Sequence, residues 1–414
     1  MKKALLSLTL SLALLAGCTG TAARPVEPDG TVSAVTPHWS PDTSLVLTDF
    51  GAELLRHNHT SGENSLISPL SAWLCLSMVA NGAEGETLSA FTDVLAGDTS
   101  LETLNASCAA LMADYAALDG ETRLVLTQSV WADENAQLTG TFSGRCDQTF
   151  GAPVYTVDLD SSAAMKAINT WVKKATDQQI PSLLEQPLSP DAAVALLGAL
   201  SLDAKWETTF EPENTWSAPF TRADGRADGA EATADYLHRT FYALPAWSDE
   251  ESTGALLPYA GSDLAFLAVL PTGTAEELVE NLTGEQILDW MAQAEERQVE
   301  VSLPKFTASW SGELTDSLKK MGLETAFDPG TADFSAMGVG QDGYPLYLSQ
   351  VIQKTVIDVA EEGTKAAAVT IAEMECGAAL LENLLELNLN RPFLYGIVDT
   401  ERNIPLFLGV YQGT

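Results

Sequence analysis

Val356-Ile357-Asp358-Val359-Ala360-Glu361-Glu362-Gly363-Thr364-Lys365-Ala366-Ala367-Ala368 is the stretch whose reading decides the fold. Residues 356–359 alternate like a strand. Glu361-Glu362-Gly363-Thr364 breaks that alternation, and three alanines follow. A second alternation begins at Thr364. Thr364, Ala366, Ala368, Thr370, Ala372 and Met374 form one set; Lys365, Ala367, Val369, Ile371, Glu373 and Glu375 form the other. Every charge falls in the second set. In a strand the two sets face opposite sides, so the first can be buried without burying a charge. Alanine also favours helix, so an amphipathic surface helix competes for this run taken alone.

Two downstream motifs decide against the helix. Glu361-Glu362-Gly363-Thr364-Lys365-Ala366-Ala367-Ala368 resembles the hinge of the reactive-centre loop of the serpins. Asn390-Arg391-Pro392-Phe393-Leu394-Tyr395-Gly396-Ile397 resembles the strand that follows that loop, and Pro405-Leu406-Phe407-Leu408-Gly409-Val410 the family's final strand. The resemblance implies an α+β fold. Its parts would be a large central, mostly antiparallel sheet with surrounding helices, a second smaller β region, and residues 361–390 held as an exposed loop.

Earlier segments fit the same family. Ser68-Pro69-Leu70-Ser71 opens a helix with Ser68 as N-cap and Pro69 at the first helical position. With Met78-Val79-Ala80-Asn81-Gly82-Ala83 it resembles the serpin helix below the sheet's opening region, where Ser68 and Ser71 match family serines. Residues 163–180 read as a helix resembling the one that lies across the main sheet. Residues 193–202 read as a strongly apolar strand. Lys205-Trp206-Glu207 and Phe210-Glu211-Pro212-Glu213-Asn214-Thr215 match a recognisable serpin block, which implies that Trp206 covers the top of the sheet. Residues 276–293 read as one acidic helix. Lys305 falls in Val-Ser-Leu-Pro-Lys-Phe, another serpin strand, and the resemblance pairs it with Glu361. Two positions depart from the family: Gly198 stands where many serpins have Asn, and Gln353 where many have His. Those groups belong to one hydrogen-bond cluster in the family, so a cluster rebuilt around Gln353 and Ser71 is expected.

The chain has 414 residues, 46 % hydrophobic, with a formal net charge of −36. So acidic a surface repels nucleic acid and offers it no basic groove. Residues 1–17 read as a signal peptide: Lys2 and Lys3 precede a short apolar core. Leu15-Ala16-Gly17-Cys18 resembles the lipobox of bacterial lipoproteins, implying cleavage before Cys18 and a lipid on its thiol. Residues 18–42 read as a flexible tether rich in Thr, Ala, Pro and Gly, and residues 43–414 as one serpin domain. The expected location is therefore the bacterial cell envelope, lipid-anchored and facing outside the cytoplasm. Cys75, Cys108, Cys146 and Cys376 remain, with neither a CxxC pair nor zinc-type spacing, and no metal or cofactor is expected. His57 and His59 read as exposed helix-end residues.

A serine hydrolase would need a nucleophile beside a base. The four histidines are His38, His57, His59 and His238, and no GxSxG elbow, Walker loop or GxGxxG element occurs. The resemblance implies a monomeric inhibitor instead, one that traps a serine protease covalently as a suicide substrate. Counting as in the family puts the scissile bond at Gly377-Ala378, with Cys376-Gly377 and Ala378-Ala379 also open. Small uncharged residues there suit an elastase-like or subtilisin-like protease. The rival reading is a non-inhibitory serpin-fold lipoprotein with a binding or structural role.

Overall fold

The computed structural model describes residues 23–118, 120–176, 178, 180–189, 192–222, 233–364 and 384–413. Among them are two large sheets and one two-stranded pair. The central sheet has seven strands in the order β1 (Arg24–Pro25), β5 (Val154–Val157), β3 (Thr122–Asp133), β6 (Val194–Lys205), β15 (Gly363–Thr364), β14 (Leu348–Ala360) and β12 (Phe306–Glu313). The second β region has nine: β2 (Ser65–Ile67), β7 (Trp216–Pro219), β8 (Thr233–Ser248), β9 (Ser252–Pro258), β10 (Leu264–Pro271), β11 (Glu295–Pro304), β16 (Leu385–Asn388), β17 (Phe393–Asp399) and β18 (Ile404–Tyr411). β4 (Gln137–Leu138) and β13 (Gly338–Val339) pair with each other.

Along residues 194–200 of β6 the central sheet is buried on both faces, which explains the apolar run there. Val194, Leu196, Leu200, Leu202 and Ala204 point to the inner core, against the helix Pro69–Ala80. Ala195, Leu197 and Ala199 point outward, under the helix Ser162–Ala175. That outer helix offers Ala164, Ile168 and Val172 at four-residue spacing, one stripe of an amphipathic helix. It is shorter than the sequence reading, because the Thr176 hydroxyl takes the Ile180 N–H (3.1 Å) and bends the chain away.

Three further readings are corrected. Residues 276–293 are not one helix but Ala275–Glu280 and Gly284–Gln293. Thr283 caps the second, and Asp49 Oδ1 accepts from the Gly284 N–H at 2.7 Å, a tertiary contact that fixes the break. The expected tether is docked along its described part. Arg24 and Pro25 pair with Thr156 and Tyr155 at the sheet edge, and Asp29 N donates to the Gly140 carbonyl at 2.8 Å. His57 and His59 are half-buried; His59 Nδ1 lies 3.2 Å from Ser65 Oγ.

Candidate functional site: the opening of the central sheet

β6 and β14 run parallel and are hydrogen-bonded neighbours from Val194/Leu348 to Ala199/Lys354. Above that they part, leaving a cavity of about 190 Å³ lined by Ile180, Leu200, Ser201, Leu202, Thr307, Val356 and Asp358. At the top a third strand stands between them. The chain leaves β14 at Ala360, turns through Glu361 and Glu362, and comes back as β15, antiparallel to both neighbours. The expectation of an exposed loop beginning at Glu361 is thus corrected: Glu361 and Glu362 form a hydrogen-bonded turn, and Gly363 and Thr364 are built into the sheet. At the other end, Leu385–Asn388 pairs with β11.

Each residue of the turn has a reason. Gly363 has φ +155°, and a Cβ there would lie 2.0 Å from the Ala204 carbonyl oxygen, so only glycine passes between β6 and β14. Thr364 is buried, and its hydroxyl hydrogen-bonds to the Tyr259 hydroxyl. The turn's carbonyls are all satisfied, as buried backbone requires. Trp206 Nε1 donates to Ala360 O, Trp206 N to Glu362 O and Phe210 N to Glu361 O, each at 2.9 Å. Trp206 stacks on Tyr259 with ring centroids 4.8 Å apart, and Phe210 and Phe266 meet it edge-on. Tyr259 was not singled out from sequence.

Glu361 reaches across the sheet top to Lys305, with Nζ 2.9 Å from Oε2, and Thr215 Oγ1 donates to Oε1 at 3.2 Å. Burial pushes this carboxyl up. The hydrogen bond from Lys305, a backbone N–H and the Lys305 charge outweigh it, and the carboxyl sits below its usual range.

Lower down, the cluster differs from the one expected. Gln353 pairs with Ser68 and not with Ser71: Oε1 accepts from Ser68 N (2.9 Å) and Nε2 donates to Ser68 O (2.8 Å). A side-chain amide offers one donor and one acceptor, which match the backbone of one residue. Ser68 Oγ takes the Ser71 N–H as a cap and donates to Leu406 O. Ser71 Oγ is buried without a partner among the described residues. A Cβ at Gly198 would fall 2.6 Å from Cys75 Sγ and 2.7 Å from Ser71 Oγ, so the helix Pro69–Ala80 has closed onto the strand where a side chain would stand. Burial pushes the Cys75 thiol up to about 12 and the Cys108 and Cys146 thiols higher still, so all three stay protonated. Lys365, Ala366, Ala367, Ala368, Cys376, Gly377, Ala378, Ala379 and Cys18 lie outside the described residues.

A family profile described as "Serpin (serine protease inhibitor)" matches residues 46–412. The chain belongs to the serpin family. Among curated serpins it is 33 % identical to Iripin-5 of Ixodes ricinus over 378 residues, covering 87 % of this chain and 92 % of that one. It is 30 % identical over 389 residues to a leukocyte elastase inhibitor of Xenopus tropicalis, covering 89 % and 98 %. The native state of the thermophilic serpin tengpin superposes with a TM-score of 0.86 at 31 % identity, over 95 % of this chain and all of that one. The latent state of tengpin gives 0.77 at 29 % identity, over 91 % and 99 %. In this serpin, then, β6 and β14 part above Ala199 and Lys354, and Gly363 and Thr364 stand between them at the top.

Proposed function

We propose that this serpin inhibits serine proteases as a suicide substrate. One observation carries the reading: Gly363 and Thr364 already fill the first two places of a strand between β6 and β14. Val359 lies 155 residues after Ala204 on the two sides of Thr364, and Gln353 lies 155 residues after Gly198 in the closed part of the sheet. The flanking strands therefore keep one register from Ala195/Gln350 up to Ala204/Val359. They need to separate sideways by about one strand spacing, ~4.8 Å, without sliding. Insertion exchanges one parallel pairing for two antiparallel ones, the slightly stronger kind.

In this mechanism the protease serine attacks a loop carbonyl, the amine of the next residue leaves, and an acyl-enzyme ester remains. The freed chain then enters the sheet. About 14 inserted residues span ~45 Å, which drags the attached protease along before water reaches the ester. Small residues at Cys376, Gly377, Ala378 and Ala379 favour an elastase-like or subtilisin-like target, and no Lys or Arg occurs from 366 to 390 for a trypsin-like one. The leukocyte elastase inhibitor among the relatives supports the same choice. A lipid on Cys18 would hold the monomer on a membrane of the cell envelope, facing outside the cytoplasm. Cys18→Ser should release the protein or leave its precursor unprocessed; unchanged processing and membrane retention would remove the anchor from the proposal.

The test is incubation with an elastase, a subtilisin and a trypsin. The expected result is a covalent complex on a denaturing gel with one of the first two, a cut within residues 375–381 by mass spectrometry, and a nicked form that melts well above the intact one. Trapping of trypsin alone overturns the specificity. Cleavage without complex and without gain in melting temperature favours the non-inhibitory reading.

A further inference from the structure

The outer face of the central sheet carries a row of polar side chains at the level just below Thr364. Arg123 of β3 is opposite Asp203 of β6, and Thr307 of β12 is opposite Asp358 of β14. All four are exposed, and Thr307 Oγ1 donates to Asp358 Oδ1 at 2.9 Å. Asp203 and Asp358 border the same gap from its two sides. β15 fixes what enters that gap. Thr364 is paired with Ala204 and Val359, so on insertion the next residue of an antiparallel strand would stand opposite Asp203 and Asp358 together. It would then face the opposite way from the inward-pointing Thr364, on the side where the two carboxylates lie. That next residue is Lys365, the one cation between Thr364 and Asn390.

We propose that the Asp203–Asp358 pair is a receiving site for Lys365 and sets how fast loop insertion starts. The inference rests on the suicide-substrate reading and adds the step that commits the loop. Insertion would complete a row of Arg123, Asp203, Lys365 and Asp358, in which every cross-strand neighbour has the opposite sign. Directly opposed ion pairs stabilise a sheet and like charges oppose pairing. Without the lysine, two carboxylates face each other across a widening gap at the first outward-facing place. Lys205, two places along from Asp203, points to Glu121 at 4.0 Å. Arg123 lies on the far side of Asp203 from the gap.

The experiment compares Lys365→Glu with wild type, each also in an Asp203→Asn/Asp358→Asn background. All four proteins are nicked by the trapping protease, and the rate at which they acquire heat resistance is followed beside the moles of inhibitor consumed per protease. Lys365→Glu should slow insertion about tenfold in the native background and consume more inhibitor, the size expected for two ion pairs exchanged for two repulsions. In the neutralised background the same substitution should change the rate less than twofold, because a coupling energy vanishes when one partner is removed. An equal slowing in both backgrounds, or none in either, overturns the receiving site while leaving insertion itself intact. A wild-type protein that never acquires heat resistance on nicking overturns the suicide-substrate reading and this inference with it.

Discussion

Trp206 donates its indole N–H to the carbonyl of Ala360 at 2.9 Å, so the residue that roofs the sheet also holds the last residue of β14 before the hinge. The bond is almost fully shielded, since Trp206 is 3 % exposed. Trp206→Phe would keep an aromatic ring against Tyr259 and leave that carbonyl without its donor, at about 1–3 kcal/mol. The variant should lose its native monomer sooner on mild heating. Native gels sampled over time check this, and an unchanged lifetime would show that the indole acts by packing alone.

Lys305 and Glu361 give the hinge a pH dependence. The Glu361 carboxyl is held below its ordinary value of 4.5. Its contribution is therefore complete above about pH 4.5 and disappears as pH falls further, through the depressed folded value. Wild-type protein should release its hinge faster as it is acidified from pH 7 to below 4.5. Glu361→Gln should release faster already at pH 7 and respond less to acid. The difference between the two proteins, read as polymer formed per hour, isolates this carboxyl from the many others.

Thr364 is buried before any insertion. Thr364→Arg must then bury a charge in the intact protein, costing several kcal/mol. Two effects are expected together: a lower midpoint in urea for the intact form, and conversion from inhibitor to substrate. An intact form as stable as wild type would mean that the Gly363–Thr364 pairing opens without effort.

Gly198 is held by its neighbours. Gly198→Asn should destabilise the protein by roughly 1–3 kcal/mol, the usual scale for overpacking a filled core. Cys75→Ala should restore much of that loss, because the Cβ would otherwise fall 2.6 Å from the Cys75 sulfur. A double-mutant cycle in urea measures the coupling, and purely additive changes would disprove the close packing.

Much of this site was legible in the sequence because it is written in local patterns. Gly363 and Thr364 stand where backbone crowding and inward burial demand a glycine and a small side chain, and Ser68-Pro69 carries its own capping chemistry. What was not legible depends on contacts between distant segments. Gln353 bonds to the backbone of Ser68, and a backbone has no sequence signature. The break before Gly284 is fixed by Asp49, more than two hundred residues away. Residues 18–42 look like a tether by composition, yet Arg24 and Pro25 join the sheet through main-chain pairing, which their side chains do not announce.

That edge strand shortens the leash. Arg24 is six positions after Cys18, a reach of at most about 20 Å in a fully extended chain. With a lipid on Cys18, a body that the composition alone would let roam is confined to a thin layer over the bilayer. Confinement of that kind raises the effective concentration of the bait for any protease bound to the same surface, with no added contact. It would also make an inhibitor so anchored a poor scavenger of enzymes diffusing farther out, so its protection would end within a molecular diameter of the membrane.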